Sequence, residues 1–227
     1  MATILNLETA TTNCSVSVAK NGTLLALKEH NSANYSHSEQ LHHFIKTTLE
    51  EARVAIENLD GIAVSKGPGS YTGLRIGVSA AKGLCFSLDL PLISVPTLES
   101  MAHQIKINEG VIIPVLDARR MEVYSCVFDQ NHKMTRETRA EIVSAGSFLE
   151  LAQKGSVYII GSGAAKCEEL FNHPNFKYDH DLVPSAAEMC LLSHRKFEHG
   201  DLEDLAYFEP FYLKDFILKG KRTGSSI

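Results

Sequence analysis

The stretch Ser65–Val95, "SKGPGSYTGLRIGVSAAKGLCFSLDLPLISV", decides the fold. The apolar, β-branched run "IAVSKG" leads into it, Gly67-Pro68-Gly69 breaks the run, and helical spacing starts near Thr72. The segment reads as a buried strand, a glycine turn, a helix lined with small residues and the strand "LPLISV". Gly73, Gly77 and Ala81 fall four residues apart, on one helix face. Glycine inside a helix costs about 1 kcal/mol relative to alanine, so Gly77 and Gly83 together give up roughly 2 kcal/mol. Close packing is the expected recovery, because a face without side chains lets another backbone come nearer than the usual ~8–10 Å between helix axes. That backbone belongs either to this chain or to a second protein.

Outward from this segment the same order of elements occurs twice. Residues 4–9 and 14–20 are strand-like, and Asn21-Gly22 supplies a hairpin turn into "TLLALKEH". Ser36 and Glu39 form an S-x-x-E capping box ahead of Leu41, Phe44, Ile45, Leu49 and Ala52, which predicts a helix over about Ser38–Val54. The first half is therefore βββαβαβ. From Val111 the order restarts: "VIIPVLDA", "EVYSCVFD" and a strand within "MTRETRAEIV", a helix near Ser147–Gln153, the strand "SVYIIGSG", then helices around a short extended piece. Strands alternating with helices after a hairpin imply an α/β protein of two ribonuclease-H-like lobes, each a mixed sheet flanked by helices. The expected division is 1–106 for the N-terminal lobe, 107–217 for a smaller C-terminal lobe and 218–227 for a flexible basic tail.

Composition narrows the function classes. With 227 residues, 44% hydrophobic and 22% charged, the chain is an ordinary soluble globular protein of one or two domains. No apolar run reaches about 18 residues, and "MATILNLETA" lacks a basic head and cleavage site, so a cytoplasmic protein without a membrane partner is expected. Cys14, Cys85, Cys126, Cys167 and Cys190 are scattered and odd in number, which fits reduced core thiols. A formal net charge of −5 argues against nucleic-acid binding through an extended basic surface of the chain's own. Any RNA contact would need a partner's help.

The motifs that could carry chemistry are weak. Gly67, Gly69 and Gly73 miss the dinucleotide spacing, and no phosphate-binding G-x-x-x-x-G-K-[ST] is present. In "LETATTNCSV", Glu8 stands where nucleotide-binding lobes of this kind carry an aspartate, and Thr9, Ala10 and Thr11 follow without glycine, so Glu8 and Thr9 can offer at most a loose nucleotide or anion contact. Gly161 and Gly163, in the second half's Gly-Ser-Gly turn, belong with the same reading. Asp117 ends a strand ahead of Arg119 and Arg120, which can pair with it or with an outside carboxylate or phosphate. His30, His37, His42 and His43 lack the i, i+4 spacing of a helical zinc pair and read as polar-face histidines. No G-x-S-x-G elbow occurs, and no active site, metal or cofactor is called for.

Together "ILNLETATTNCSVSV", "HSEQL", "SKGPGSYTGLRIGVSAAKGLCFSLDLPLISVPTLESMA", "DARRMEVY", "IIGSGA" and "EPFYLK" resemble the TsaB (YeaZ) family, nearly end to end. The resemblance implies an actin-like, duplicated fold and a dimerisation subunit of the tRNA threonylcarbamoyladenosine machinery, a degenerate relative of the transferase TsaD. TsaD carries a metal-binding H-x-x-x-H, and this chain has Thr97 and Met101 in those places, which implies a noncatalytic scaffold without cofactor. It further implies pairing, as a homodimer or with a TsaD-type paralogue, through the helices Ser38–Val54 and Thr72–Leu88. A TsaE-type ATPase is the third component, and tRNA is met only through the complex. The interface residues expected on this basis are Ser38, Leu41, Phe44, Gly73, Arg75, Gly77 and Ala81. A metallo-glycopeptidase-like enzyme and a weak actin-like ATPase or kinase are the alternatives.

Overall fold

The computed structural model describes residues 1–32 and 37–214, which form two five-stranded mixed sheets flanked by helices. Ser36 of the expected capping box and the basic tail lie outside the described residues. The first sheet contains β1 (Thr3–Glu8), β2 (Asn13–Lys20), β3 (Thr23–Asn31), β4 (Gly61–Gly67) and β5 (Leu92–Pro96), in the order β3-β2-β1-β4-β5. The first three are antiparallel, and β4 and β5 run parallel to β1. Helices α1 (His37–Ala52) and α2 (Tyr71–Leu88) make the crossovers. α2 starts at Ser70, whose side chain accepts the Gly73 N–H at 3.3 Å, and ends at Asp89 in the left-handed region.

The second half repeats this order. β6 (Val111–Asp117), β7 (Glu122–Asp129), β8 (Met134–Ile142), β9 (Val157–Ile160) and β10 (Phe176–Asp179) lie as β10-β9-β6-β7-β8, the same arrangement counted from the other edge. α4 (Leu149–Ala152) and α5 (Ala164–Leu170) make its crossovers. The fold is the duplicated ribonuclease-H-like architecture that the order of segments predicts.

Period-two alternation assigns each sheet two apolar faces. On one face of the first sheet Leu5, Leu7, Val16, Val18, Ile62 and Val64 meet Leu41 and Ile45 of α1 and Val78, Ala81 and Cys85 of α2. On the opposite face Ile4, Ala63, Ile93 and Val95 meet Ala186, Met189 and Leu192 of α6 (Ala186–Glu198), which comes from the end of the second half. A helix that the sequence pattern does not reveal, α3 (Thr97–Ala102), does the converse: Leu98, Met101 and Ala102 pack on Ile112, Leu116, Cys126 and Phe128 of the second sheet. The division expected at 106/107 runs between α3 and β6, and across it the sheets exchange these two helices. Residues 1–106 and 107–217 as separate lobes remain a proposal.

Buried hydrogen bonds set the register of α6. Ser17 Oγ donates to the Ala186 carbonyl at 2.7 Å, the Ala186 N–H donates to Ser15 Oγ at 3.0 Å, and Ser193 Oγ donates to Asn6 Oδ1 at 2.6 Å. Each such group left unpaired in the interior costs about 1–3 kcal/mol, so a slipped helix is strongly disfavoured. Beyond α6, residues 203–214 form a strap along α2. Lys82 Nζ donates to the Ala206 and Phe208 carbonyls, both at 3.2 Å, and the Phe211 N–H donates to the Lys66 carbonyl at 2.7 Å. Lys214 then reaches the second lobe, where it meets the Glu122 carboxylate. All five cysteines are buried and free, as expected. Among the described residues no helix is long and apolar enough to cross a membrane.

Candidate functional site

The small-residue stripe of α2 faces inward, which corrects its expected role as a partner surface. A Cβ on Gly69 would overlap Ala10, one on Gly73 would meet the Thr9 carbonyl oxygen, and one on Gly77 would meet Thr9 Oγ1, each closer than the 3.0 Å that real Cβ contacts keep. Thr9 Oγ1 also donates to the Gly73 carbonyl at 2.8 Å, and the Ser70 N–H donates to the Ala10 carbonyl at 2.6 Å. The close backbone inferred from glycine cost is thus this chain's own β1–β2 loop. Ala81 and Leu41 are likewise fully buried against the first sheet. Of the expected interface set, Ser38 and Arg75 are exposed and Phe44 is half-buried.

The outer face of α1 and α2 is different. A shallow groove of about 530 Å³ runs between them, lined by Ser38 and His42 of α1 and by Arg75, Ile76, Ser79 and Gly83 of α2. Small residues again dominate the α2 side, and a Cβ on Gly83 would find nothing within 4 Å. Phe86, next along this face, is 83% exposed. Beside the groove Arg75 stacks over the Tyr71 ring at 4.4 Å, and Tyr71 lies 5.0 Å from the Tyr212 ring of the strap. The apolar positions Leu74, Val78, Ala81 and Cys85 mark the inner face in the sequence and are the signal that separates the two stripes.

Residues read as a loose nucleotide contact are built into packing. Glu8 is fully buried, and its Oε1 accepts the Ala10 N–H at 2.6 Å. Burial drives its carboxyl from the ordinary 4.5 to about 7, offset only in part by the Ala10 N–H and the Ser65 hydroxyl. Thr9 is committed to α2, as described. Gly161 sits against Met101 and the Val115 carbonyl with no room for a side chain, and Gly163 sits tightly against Val123 and Val115.

At the two places where the TsaD pattern has histidines, the residues do not suit a metal. Thr97 and Met101 are fully buried, Thr97 Oγ1 lies 2.7 Å from Ser65 Oγ, and Met101 packs among Leu98, Ile112 and Phe128. A hydroxyl and a thioether so engaged cannot replace two imidazoles at a catalytic ion. Among the described residues no group of three or more metal-ligating side chains occurs. His37 departs from the polar-face reading: it is buried, with Nε2 2.7 Å from the Thr11 carbonyl, while His30, His42 and His43 are exposed.

At the Asp117 hairpin the structure decides against the first of the two expected pairings. Asp117 pairs with Lys166 at 2.6 Å and accepts the backbone N–H of Arg119, also at 2.6 Å, so neither guanidinium is its partner. Arg119 (φ 68°) and Arg120 (φ 53°) are both left-handed, which costs roughly 1–2 kcal/mol apiece for side-chain-bearing residues.

Comparison with known proteins fits this geometry. The family model for TsaD, tRNA N6-adenosine threonylcarbamoyltransferase, matches residues 30–216. The Escherichia coli tRNA threonylcarbamoyladenosine biosynthesis protein TsaB is 28% identical over 229 residues, 97% of this chain and 98% of that protein. The Bacillus subtilis TsaB is 34% identical over 140 residues, 60% of this chain and 58% of that one. A crystal structure of an uncharacterized Pseudomonas aeruginosa protein with similarity to peptidase YEAZ superposes with a TM-score of 0.84 at 26% identity, covering 94% of this chain and 100% of that chain. The chain therefore belongs to the TsaD family of tRNA N6-adenosine threonylcarbamoyltransferases, as a TsaB (YeaZ) type member.

Proposed function

We propose that the chain is a noncatalytic scaffold for forming N6-threonylcarbamoyladenosine at position 37 of tRNA in the cytoplasm. It pairs with itself through the outer face of α1 and α2, and exchanges that partner for a TsaD-type, metal-bearing paralogue that works with a TsaE-type ATPase. The whole-length likeness to proteins named TsaB supports the pathway. Gly83 is the observation that carries the scaffold reading. A glycine within a helix costs about 1 kcal/mol. Thr9 accounts for Gly77, but nothing among the described residues approaches the Gly83 face. A second helix pair seated on Ser79, Ala80 and Gly83 would use that space, with Phe86 and Ile76 as apolar anchors. An interface of standard size removes about 1,600 Å² from water, and its desolvated centre dominates the energetics. The engaged Thr97 and Met101 support a role without transfer chemistry of the chain's own.

Gly83→Leu tests this. Leucine is the better helix former by about 1 kcal/mol and its Cβ meets nothing at this position, so the variant monomer should be at least as stable as the wild-type monomer when both are melted at a concentration too low for pairing. Native mass spectrometry, on the chain alone and mixed with its TsaD-type paralogue, should then show loss of both pairings. Retention of both at wild-type affinity would remove the scaffold surface from α1 and α2.

A further inference from the structure

We infer that the tip of the β6–β7 hairpin, Arg119 and Arg120, is a contact for RNA phosphates; the inference rests on the tRNA-modifying reading above and deepens it. The chain makes two successive left-handed residues at two hairpins. At the β2–β3 turn they are Asn21 and Gly22, with φ 52° and 76°, a pair that takes this conformation readily. At β6–β7 the same backbone is imposed on two arginines, with φ 68° and 53°. The turn does not require arginine, since the chain uses Asn-Gly for the purpose elsewhere. What the two arginines add is charge.

The surroundings brace the backbone of the turn and leave the charge it presents uncompensated. The Ala118 N–H donates to the Glu122 carbonyl at 3.0 Å, the Glu122 N–H to the Arg119 carbonyl at 3.3 Å, and the Asp117 N–H to Ser162 Oγ at 3.2 Å. Both acids that flank the tip already have lysine partners: Asp117 has Lys166, and Glu122 has Lys214. Lys166 and Lys214 also donate to the Glu122 and Ala118 carbonyls, both at 3.3 Å. Arg119 and Arg120 are exposed, and among the described residues neither takes part in an ion pair. Phosphate contacts need charge and donors without an apolar surround, and guanidinium forks on a rigid turn supply both. Met121, 45% exposed, and Ile142, 75% exposed and paired opposite Glu122, are the apolar neighbours of the tip; they flank the two guanidinium groups and do not cover them.

The test puts the Asn-Gly of the other hairpin here, as Arg119→Asn with Arg120→Gly. Relief of two left-handed side chains, less the freedom that glycine adds to the unfolded chain, should raise the melting temperature by about 2–14 °C, which shows the hairpin intact. The complex of the full chain with its TsaD-type paralogue is titrated with an unmodified tRNA transcript over a salt series. Loss of two phosphate contacts should weaken binding about 15- to 30-fold at 0.15 M salt and reduce the slope of log affinity against log salt by about 1.4–1.8. Pairing with the paralogue should be unchanged. Equal affinity and slope for variant and wild type would overturn the inference. So would intact RNA binding with weakened pairing, which would make the tip a protein contact. Should the wild-type complex fail to form or to modify tRNA, the scaffold reading falls; the titration is then run on the chain alone at low salt, where no RNA binding, or the same salt slope for variant and wild type, overturns the inference as well.

Discussion

Adding one carbon at Gly77 separates the two stripes of α2 most sharply. In Gly77→Ala the new Cβ is driven into Thr9 Oγ1, whose hydrogen bond to the Gly73 carbonyl is fully buried. Overpacking a tight interior costs about 1–3 kcal/mol, and pushing the Thr9 hydroxyl off the Gly73 carbonyl leaves a buried donor unpaired for about 1–3 kcal/mol more. Against this, alanine improves helix propensity by about 1 kcal/mol, for a net loss of about 1–5 kcal/mol. Urea unfolding followed by circular dichroism measures it. A double-mutant cycle with Thr9→Ala, which removes the opposing hydroxyl and methyl, should return about 0.5–3 kcal/mol as coupling. Gly83→Ala in the same assay should stabilise by about 1 kcal/mol, because its Cβ meets nothing. A Gly77→Ala protein as stable as wild type, or a cycle without coupling, would refute the seating of α2 on the β1–β2 loop.

Two further outcomes follow from buried titratable groups. Burial raises the Glu8 carboxyl from 4.5 to about 7, so the folded chain holds a proton that the unfolded chain releases, and stability must fall as pH rises from about 4.5 through 7. At about 1.4 kcal/mol per tenfold change in proton affinity, the loss is on the order of 3 kcal/mol, and Glu8→Gln should abolish this part of the pH dependence. Urea melts at pH 5 and pH 8 read the difference between wild type and variant, and identical slopes would contradict it. Burial also pushes Cys85, Cys126 and Cys167 up to about 12 and Cys14 and Cys190 to about 11. A chromogenic disulfide reagent at pH 8 should therefore titrate no thiol in the native chain and all five after denaturation.

Much of the fold was legible because it rests on local signals. Alternation in β1 and β2, the Asn21-Gly22 turn and the break at Gly67-Pro68-Gly69 are set by neighbours in the chain, and the duplicated order follows from them. Which way a glycine stripe faces is not local. Gly73 and Gly77 have no side chain to register as apolar or polar, so only Leu74, Val78 and Cys85 beside them carry the inward signal. α3 escaped notice because six residues after Pro96 give barely two turns of periodicity. The placement of α6 was hidden for another reason: Ser17 and Asn6, which receive it, read as polar interruptions of strands until Ala186 and Ser193 are seen opposite them. The partner of Asp117 lies 49 positions away, at Lys166, beyond any spacing rule.

The exchange of α3 and α6 has a consequence during synthesis. When β5 leaves the ribosome, the face of the first sheet bearing Ile4, Ile93 and Val95 has no cover, because Met189 and Leu192 belong to a helix that ends only at Glu198. At roughly 5–20 residues per second, that apolar surface stays bare for about 5–20 s. A chain cut short before α6 is therefore expected to leave Ile4, Ile93 and Val95 bare and to aggregate, a fate that shielding of the emerging polypeptide would postpone.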